Sequence, residues 1–327
     1  MVDSNNRTLY GIEDQGVRYF WVGYHLLVLI SSLVGDTTIL IASIKYKAIK
    51  LSDFILTIIH HIAFTDLALS LLYVLPGLIS LIENRWILGE TFCYIRDPLS
   101  YYFLPANLLL ISAMTTGKWV QLKWPLRSWT WTHQQAKKIC MAIWTICLFG
   151  PVVVVVLARK NVYFDYIIYN CCYIHLLEND QENVLIQINY VLWLFIPNLV
   201  VISTCSMTLV EARNARREGE RLNWRGVSTV VLTAVSFSVS TLPTLLFIAV
   251  NYFIGLSSST EIEFRRSVAF LKELNIMANI YIYTLTVPSF RYFLEDRVRI
   301  VARTICQYTP LLDQHDDVRD ENSPLIT

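Results

Sequence analysis

Seven sparsely charged runs, each about as long as a bilayer is thick, divide this chain: near 20–44, 54–82, 98–124, 139–158, 184–210, 226–254 and 267–288. A helix rises about 1.5 Å per residue, so roughly 20 mainly apolar residues cross the ~30 Å hydrocarbon layer. The fourth, fifth and sixth runs contain no Asp, Glu, Lys or Arg at all. Lipid offers the backbone no hydrogen-bond partner, so runs of this length read as spanning helices. Only 16% of residues are charged, against about a quarter in an ordinary soluble domain, and the charges collect between the runs. The expected fold is therefore an all-α integral membrane protein, a bundle of seven transmembrane helices. No half of the chain repeats the other, which disfavours an inverted-repeat transporter. The first run is too long for a cleaved leader and is expected to act as its own insertion signal.

Orientation follows from the basic residues, because Lys and Arg are retained on the cytoplasmic side. With the N-terminus outside, the inner segments hold twice as many Lys and Arg as the outer ones, including Arg213, Arg216, Arg217, Arg221 and Arg225 in one connection. Asn6-Arg7-Thr8 is a glycosylation sequon and fits that side. A multi-pass plasma-membrane protein with an extracellular N-terminus is expected. Residues 1–18 form its outer segment, 19–300 the membrane domain and 301–327 a cytoplasmic tail.

The cysteines divide by place. Cys140, Cys147 and Cys205 fall inside runs and read as small buried side chains. Cys93 lies at the outer mouth of the third run, and Cys171 and Cys172 lie in the long outer segment after the fourth. A bridge from Cys93 to that segment would stabilise by ~2–4 kcal/mol; Cys172 is favoured as partner, with Cys171 the alternative. Around them, Val162 to Tyr169 is rich in β-branched and aromatic residues, which predicts a short hairpin lid.

The order of motifs across the runs resembles the rhodopsin-like (class A) family of G-protein-coupled receptors over roughly residues 19–300. Gly35-Asp36 stands where the family has Gly-Asn, and Ala63-Phe64-Thr65-Asp66 fits Leu-Ala-x-x-Asp. Trp86-x-Leu88-Gly89-x-x-x-Cys93 fits the first outer loop. Lys118 follows Cys93 by 25 residues and precedes Pro125 by 7, the family's spacing for the Arg of Asp-Arg-Tyr. Trp144 and Pro197 mark the next two spans. Phe237 precedes Pro243 by 6, as in Phe-x-x-Cys-Trp-x-Pro. Asn275, Asn279 and Tyr283 match the Asn-Pro-x-x-Tyr region, and Phe290-Arg291 opens the short amphipathic helix that follows the last span.

The resemblance implies roles for these positions. Lys118, Trp119, Pro125, Phe237, Pro243 and Tyr283 fall on the activation and G-protein-coupling switch. Asp66 sits at a mid-membrane polar centre with Asn107, Asn275 and Asn279, whose amide oxygens would suit an allosteric Na⁺, the one cofactor expected. The other reading of that centre is a hydrogen-bonded core with water or a protonated Asp66. Asp97, Ser100 and Tyr101 face the ligand cavity with Lys272 and Glu273; alternatively one of the last two pairs with Arg96, Asp97 or His25. Opsins carry Lys where Glu273 stands and amine receptors Asp where Ser100 stands, so neither light nor a simple monoamine leads. The switch is altered: Asp-Arg-Tyr reads Gly117-Lys118-Trp119, the toggle Trp is Thr241, and Ile280 replaces the Pro of Asn-Pro-x-x-Tyr. Asn223 stands at the span-six acid position, so no lock on Lys118 is expected there.

Cys306 is a palmitoylation candidate beside Phe290, Phe293 and Leu294, with a free thiol the alternative. His60-His61 diverge on a helix and lack a third ligand, so they read as core histidines. No nucleophile–base pair, phosphate loop or zinc motif is present, and no basic aromatic patch points to nucleic acid; enzymatic activity is not expected. The expected function is a receptor for an extracellular ligand, a peptide before a small charged molecule, signalling to a heterotrimeric G protein and engaging arrestin and membrane lipid. The alternative is a non-coupling decoy or scavenger on the same fold.

Overall fold

A computed structural model describes residues 15–45, 51–84, 86–125, 132–150, 152, 162–168, 171–176, 191–219, 223–254, 258–296 and 299. Helix α1 (Gln15–Lys45) is followed by α2 (Asp53–Leu69), which runs through a π-helical turn (Ser70–Val74) into α3 (Leu75–Glu83). Helices α4 (Gly89–Lys123) and α5 (His133–Cys147) come next. An antiparallel hairpin of β1 (Val162–Ile168) and β2 (Cys171–Leu176) precedes a second π turn (Val191–Phe195), α6 (Ile196–Arg217), α7 (Trp224–Ile254) and α8 (Ser258–Thr286). Residues 288–296 are again helical.

Each π turn lies just ahead of a proline, Pro76 or Pro197. Proline lacks an N–H and its ring crowds the carbonyl four residues back, and widening the preceding turn relieves both defects. Asn84 ends α3 in the left-handed conformation (φ 53°), its N–H reaching the Ser80 carbonyl; Asn is one of the few residues with a side chain that adopts this cap.

Helix α4 is the central post, packing against α2, α5, α6 and α7, while α1 contacts α2, α3 and α8 and α7 contacts α8, closing the ring. Strand β2 lies on α4 and α3, which defines a hairpin end of the bundle; the opposite end is marked by Lys118. Ile58, Ile59, Ile62, Leu108, Ile111 and Met114 form the centre of the core and are fully buried. Trp144 of α5 joins it to α2 and α4, with its ring against Phe64 and Tyr102 and its Nε1 donating to His61 Nδ1 at 3.2 Å. His60 pairs with Ser43 Oγ at 2.8 Å, so both histidines serve helix contacts. Leu26, Leu27, Ile30 and Val34 on α1 are exposed, as are Leu242 and Leu246 on α7. Such patches are liabilities in water and belong against lipid.

Four helices are long and apolar enough to cross a membrane by themselves: Gln15–Ser43, Asp53–Glu83, Leu192–Arg217 and Trp224–Phe247. Helices α4 and α8 carry more charge, and α5 is described over only 15 residues. Four helices start a turn or more before the apolar runs: α1 at Gln15, α4 at Gly89, α5 at His133 and α8 at Ser258. Their added turns hold Arg18, Glu90, Arg96, Glu261 and Arg265, which hydropathy counts against a span. The helical backbone continues regardless, because α4 at 35 residues is about 50 Å long and outreaches the hydrocarbon layer. The helix also runs into the segment expected to be extracellular at 15–18; residues 1–14 and 301–327 lie outside the described residues.

Gly35 sets the closest approach of α1 to α8: a Cβ there would lie 2.6 Å from Ile280 Cγ1. Gly35→Ala should therefore lower stability by about 1–3 kcal/mol through overpacking. Thermal unfolding of the detergent-purified protein measures it, and Ile280→Ala in the same chain should recover part of the loss. Strictly additive losses in the double variant would show that this contact is not the cause.

Candidate functional site

The polar centre is built around Asp66 of α2, which is fully buried. Asn107 of α4 donates Nδ2 to Oδ1 at 2.7 Å, and Asn279 of α8 donates Nδ2 to Oδ2 at 2.5 Å. Three helices thus meet on one carboxylate. A charged group at mid-bilayer costs ~2.5–3.5 kcal/mol, and donors from neighbouring helices offset that cost. Two expectations are corrected. The amides turn their nitrogens to Asp66, so the Oδ1 atoms of Asn107 and Asn279 are buried without a hydrogen-bond partner. Asn275 does not bond Asp66; its Oδ1 accepts from Ser236 Oγ at 3.2 Å and ties α8 to α7.

A second carboxylate stands beside this centre, at the position noted in sequence only as the Asn place of Gly-Asn. Asp36 of α1 is fully buried, accepts from Ser32 Oγ at 2.5 Å through Oδ2, and leaves Oδ1 without a partner. Its signal was available, since Asp36 is the sole charged residue in the run near 20–44.

At the hairpin end, Glu273 of α8 turns to α1. Its Oε1 lies 3.3 Å from His25 Nε2, with the side chains 5% and 1% exposed. His25 Nδ1 is 2.9 Å from the Trp21 carbonyl, which can only accept, so Nδ1 carries a proton. Tyr24 donates to the Phe270 carbonyl at 2.7 Å, and the two rings pack 4.5 Å apart, completing an aromatic seam between α1 and α8. Of the alternatives for Glu273, the pairing with His25 is the one observed. Lys272 is half-buried next to it. Arg96 of α4 stacks 3.9 Å from the Tyr73 ring in the π turn. The side chains of Asp97, Ser100 and Tyr101 lie outside the described residues, as do those of Cys93, Cys171 and Cys172 and all of Asn6 and Cys306.

At the opposite end, Lys118 is buried, with 8% exposure. Its Nζ lies against Gly226 of α7, 3.5 Å from where a Cβ would stand. Among the described residues no carboxylate pairs with it. Asn223 uses its Oδ1 to accept from Gly226 N–H at 3.3 Å and so caps α7. This end is nonetheless not without an ion pair: Lys123 of α4 meets Glu211 of α6 at 2.8 Å. The half-buried Trp119 packs edge-on against Trp124, and Pro125 is exposed at the end of the helix. Phe237 of α7 is buried, while Pro243 is half-buried within the same helix. In place of the toggle Trp, Thr241 donates to Asn198 Oδ1 of α6 at 2.9 Å. Tyr283 is fully buried beside Phe290, and Phe290 and Phe293 pack into the core, so the last helical stretch docks on the bundle.

With this geometry in view, residues 35–283 match the family described as 7 transmembrane receptor (rhodopsin family). The chain belongs to that family, and its bundle is a seven-transmembrane receptor fold in a multi-pass membrane protein. An annetocin receptor from Eisenia fetida is 23% identical over 140 residues, 43% of this chain and 32% of that receptor. The chain thus spans about a third of the length of the curated relative it matches.

Two outcomes follow. Asn107→Ala removes a donor from a buried carboxylate and should cost about 1.5–3 kcal/mol, whereas Asn275→Ala, which never touches Asp66, should cost less. Thermal midpoints of the purified variants decide it; equal losses would contradict the hub. His25→Ala should cost about 3–5 kcal/mol by stranding Glu273, and adding Glu273→Ala should return part of that. A double variant as unstable as the summed singles would mean that the pair does not interact.

Proposed function

We propose that this chain is a signalling receptor: it captures an extracellular ligand at the hairpin end and passes the change to a heterotrimeric G protein at the Lys118 end. The observation that carries the reading is the continuous polar tie of Asp66, Asn107 and Asn279, which joins α2, α4 and α8 between the two ends. A bundle tied at its centre can exist in two packings, and a ligand that prefers one shifts the population. The excess of basic residues in segments on the Lys118 side favours that side as cytoplasmic, with the N-terminus outside. There, Trp119, Trp124 and the exposed Lys137 and Lys138 suit contact with anionic lipid.

A peptide is the favoured ligand, since the two-stranded hairpin has outer edges whose backbone can pair with an extended chain. The likeness to a receptor named for annetocin is in keeping with a dedicated extracellular ligand. Lys272 is the half-buried cation on α8 that would meet an acidic group of the ligand, and Asp97, Ser100 and Tyr101 belong to the same reading as ligand contacts. Residues 1–18, 19–300 and 301–327 would form the outer segment, receptor domain and arrestin-accessible tail. A Cys93–Cys172 bridge, glycosylated Asn6 and lipid-modified Cys306 belong to the same reading.

The alternative, a decoy that binds without coupling, is favoured by one observation: Lys118 is buried and lacks the planar fork with which Arg makes several fixed bonds. Nucleotide exchange on purified G protein by the receptor in nanodiscs separates the two. A coupling receptor raises exchange above the receptor-free rate, and Lys118→Ala returns it to that rate. A ligand found by peptide screening that recruits neither G protein nor arrestin would establish the decoy.

A further inference from the structure

The Lys118 end carries a buried cation with no opposite charge to meet. Lys118 is 8% exposed, and among the described residues no carboxylate pairs with it. Glu211, the acid of α6 at this end, is held by Lys123 at 2.8 Å. Lys118 Nζ lies instead against Gly226, the third residue of α7. A cation is ill placed there. The first turn of a helix presents N–H groups without intrahelical acceptors and a partial positive charge, so it favours anions. Asn223 Oδ1 accepts from Gly226 N–H and the Asn223 carbonyl from Val227 N–H. The N–H groups of Trp224 and Arg225 have no acceptor within α7. A desolvated ammonium and a helix N-terminus therefore converge, and each raises the cost of the other.

The two meet around a definite spot. A Cβ at Gly226 would stand 3.5 Å from Lys118 Nζ, 3.6 Å from Leu51 Cδ2 and 3.7 Å from Asn223 Nδ2. Two nitrogen donors thus border the one place in this turn where α7 has no side chain. Gly226 and Lys118 are buried, whereas Asn223, Trp224 and Arg225 are exposed, so the donors sit just beneath a solvated rim. We propose that Lys118 and the first turn of α7 form an anion site, and that its ligand is a phosphate group, carried by a phospholipid headgroup or free in solution.

The surroundings select the anion. An anion gives Lys118 its missing opposite charge and suits the helix end, the same pairing by which helix N-termini hold phosphate. Phosphate presents several strong acceptor oxygens, enough to meet an ammonium and backbone N–H groups together. Chloride has a single centre, and a carboxylate has two oxygens in one plane. The rim is basic as well: Arg216 lies 5.9 Å from the Trp224 ring, and Arg217 and Arg225 are exposed. Trp119, Trp124 and Trp224 stand at this end, and tryptophan gathers at the headgroup level of a bilayer, where its phosphates lie. The site borrows from the receptor reading only in taking this end as the cytoplasmic face, which makes a phosphoinositide the lipid to try.

The test needs neither extracellular ligand nor G protein, so it stands or falls apart from the coupling proposal. The full-length receptor in nonionic detergent is titrated with sodium phosphate, sodium acetate and sodium chloride at matched ionic strength while its thermal midpoint is followed. The expected result is a saturable rise with phosphate, larger than with the other two salts. Lys118→Met removes the buried charge, so it should melt above the wild type without phosphate and should lose the response. Gly226→Ala should fold, because its Cβ meets its neighbours at ordinary contact distances. By filling the spot between the donors it should weaken the apparent phosphate affinity about tenfold or more. A short-chain phosphoinositide separates the sources: saturation far below the free-phosphate concentration assigns a lipid headgroup, and saturation no lower assigns free phosphate. Equal rises with phosphate and chloride, or a larger rise with acetate, as a carboxylate-bearing partner would give, overturn the proposal. So does a full phosphate response in Lys118→Met, or no response to any of the salts.

Discussion

A carboxylate in the middle of a bilayer has no water to turn to, and Asp66 therefore draws its partners from other helices. Asn107 and Asn279 reach it from α4 and α8 with a donor each. Helix register is the consequence. Once Asn107 is held at the level of Asp66, Lys118 must stand about 16 Å further along α4. Once Asn279 is held there, Glu273 must stand about 9 Å toward the hairpin end. The two ends of the molecule are placed by a bond at its centre.

Those ends are built from different materials. At the hairpin end, α1 and α8 are joined by a buried histidine–glutamate contact and an aromatic seam, both shielded from solvent and both demanding in geometry. At the opposite end the ion pair that joins α4 and α6 involves Lys123, whose side chain is 46% exposed. Exposed pairs of that kind contribute about 0.2–1 kcal/mol. Closure there depends more on packing, with Lys118 Nζ laid against Gly226. A firm seam at the hairpin end and a weakly latched opposite end suit a bundle whose motion is concentrated at the Lys118 end. The altered motif Gly117-Lys118-Trp119 is then part of a coherent local structure, in which a small residue on α7 makes room for the cation.

Much of this was readable beforehand. The apolar runs near 54–82 and 226–254 correspond closely to Asp53–Glu83 and Trp224–Ile254, because a lipid-facing helix must be apolar along its whole length. The hairpin at Val162–Leu176 was visible in its β-branched and aromatic residues. Helix starts at Gln15, Gly89 and Ser258 were not visible, since beyond the hydrocarbon layer a helix no longer needs apolar residues. Asp36 escaped because it was compared with a motif instead of being priced as a charge in lipid. The direction of the Asn107 and Asn279 amides escaped for another reason. Asn has a donor and an acceptor at nearly the same place, and only the neighbour decides which is used.

The amino-acid sequence by itself determined the class of protein: spanning helices in order, charges gathered mostly at their ends, and residues at the spacing of the rhodopsin family. It did so because hydrophobic length and the cost of a charge in lipid act locally, residue by residue. Tertiary structure alone decided that Glu273 meets His25, that Asn275 serves Ser236 and not Asp66, that Lys118 is buried, and that Asp36 joins the central site. Each of those depends on which faces of two helices meet, and that is settled by packing across the whole bundle.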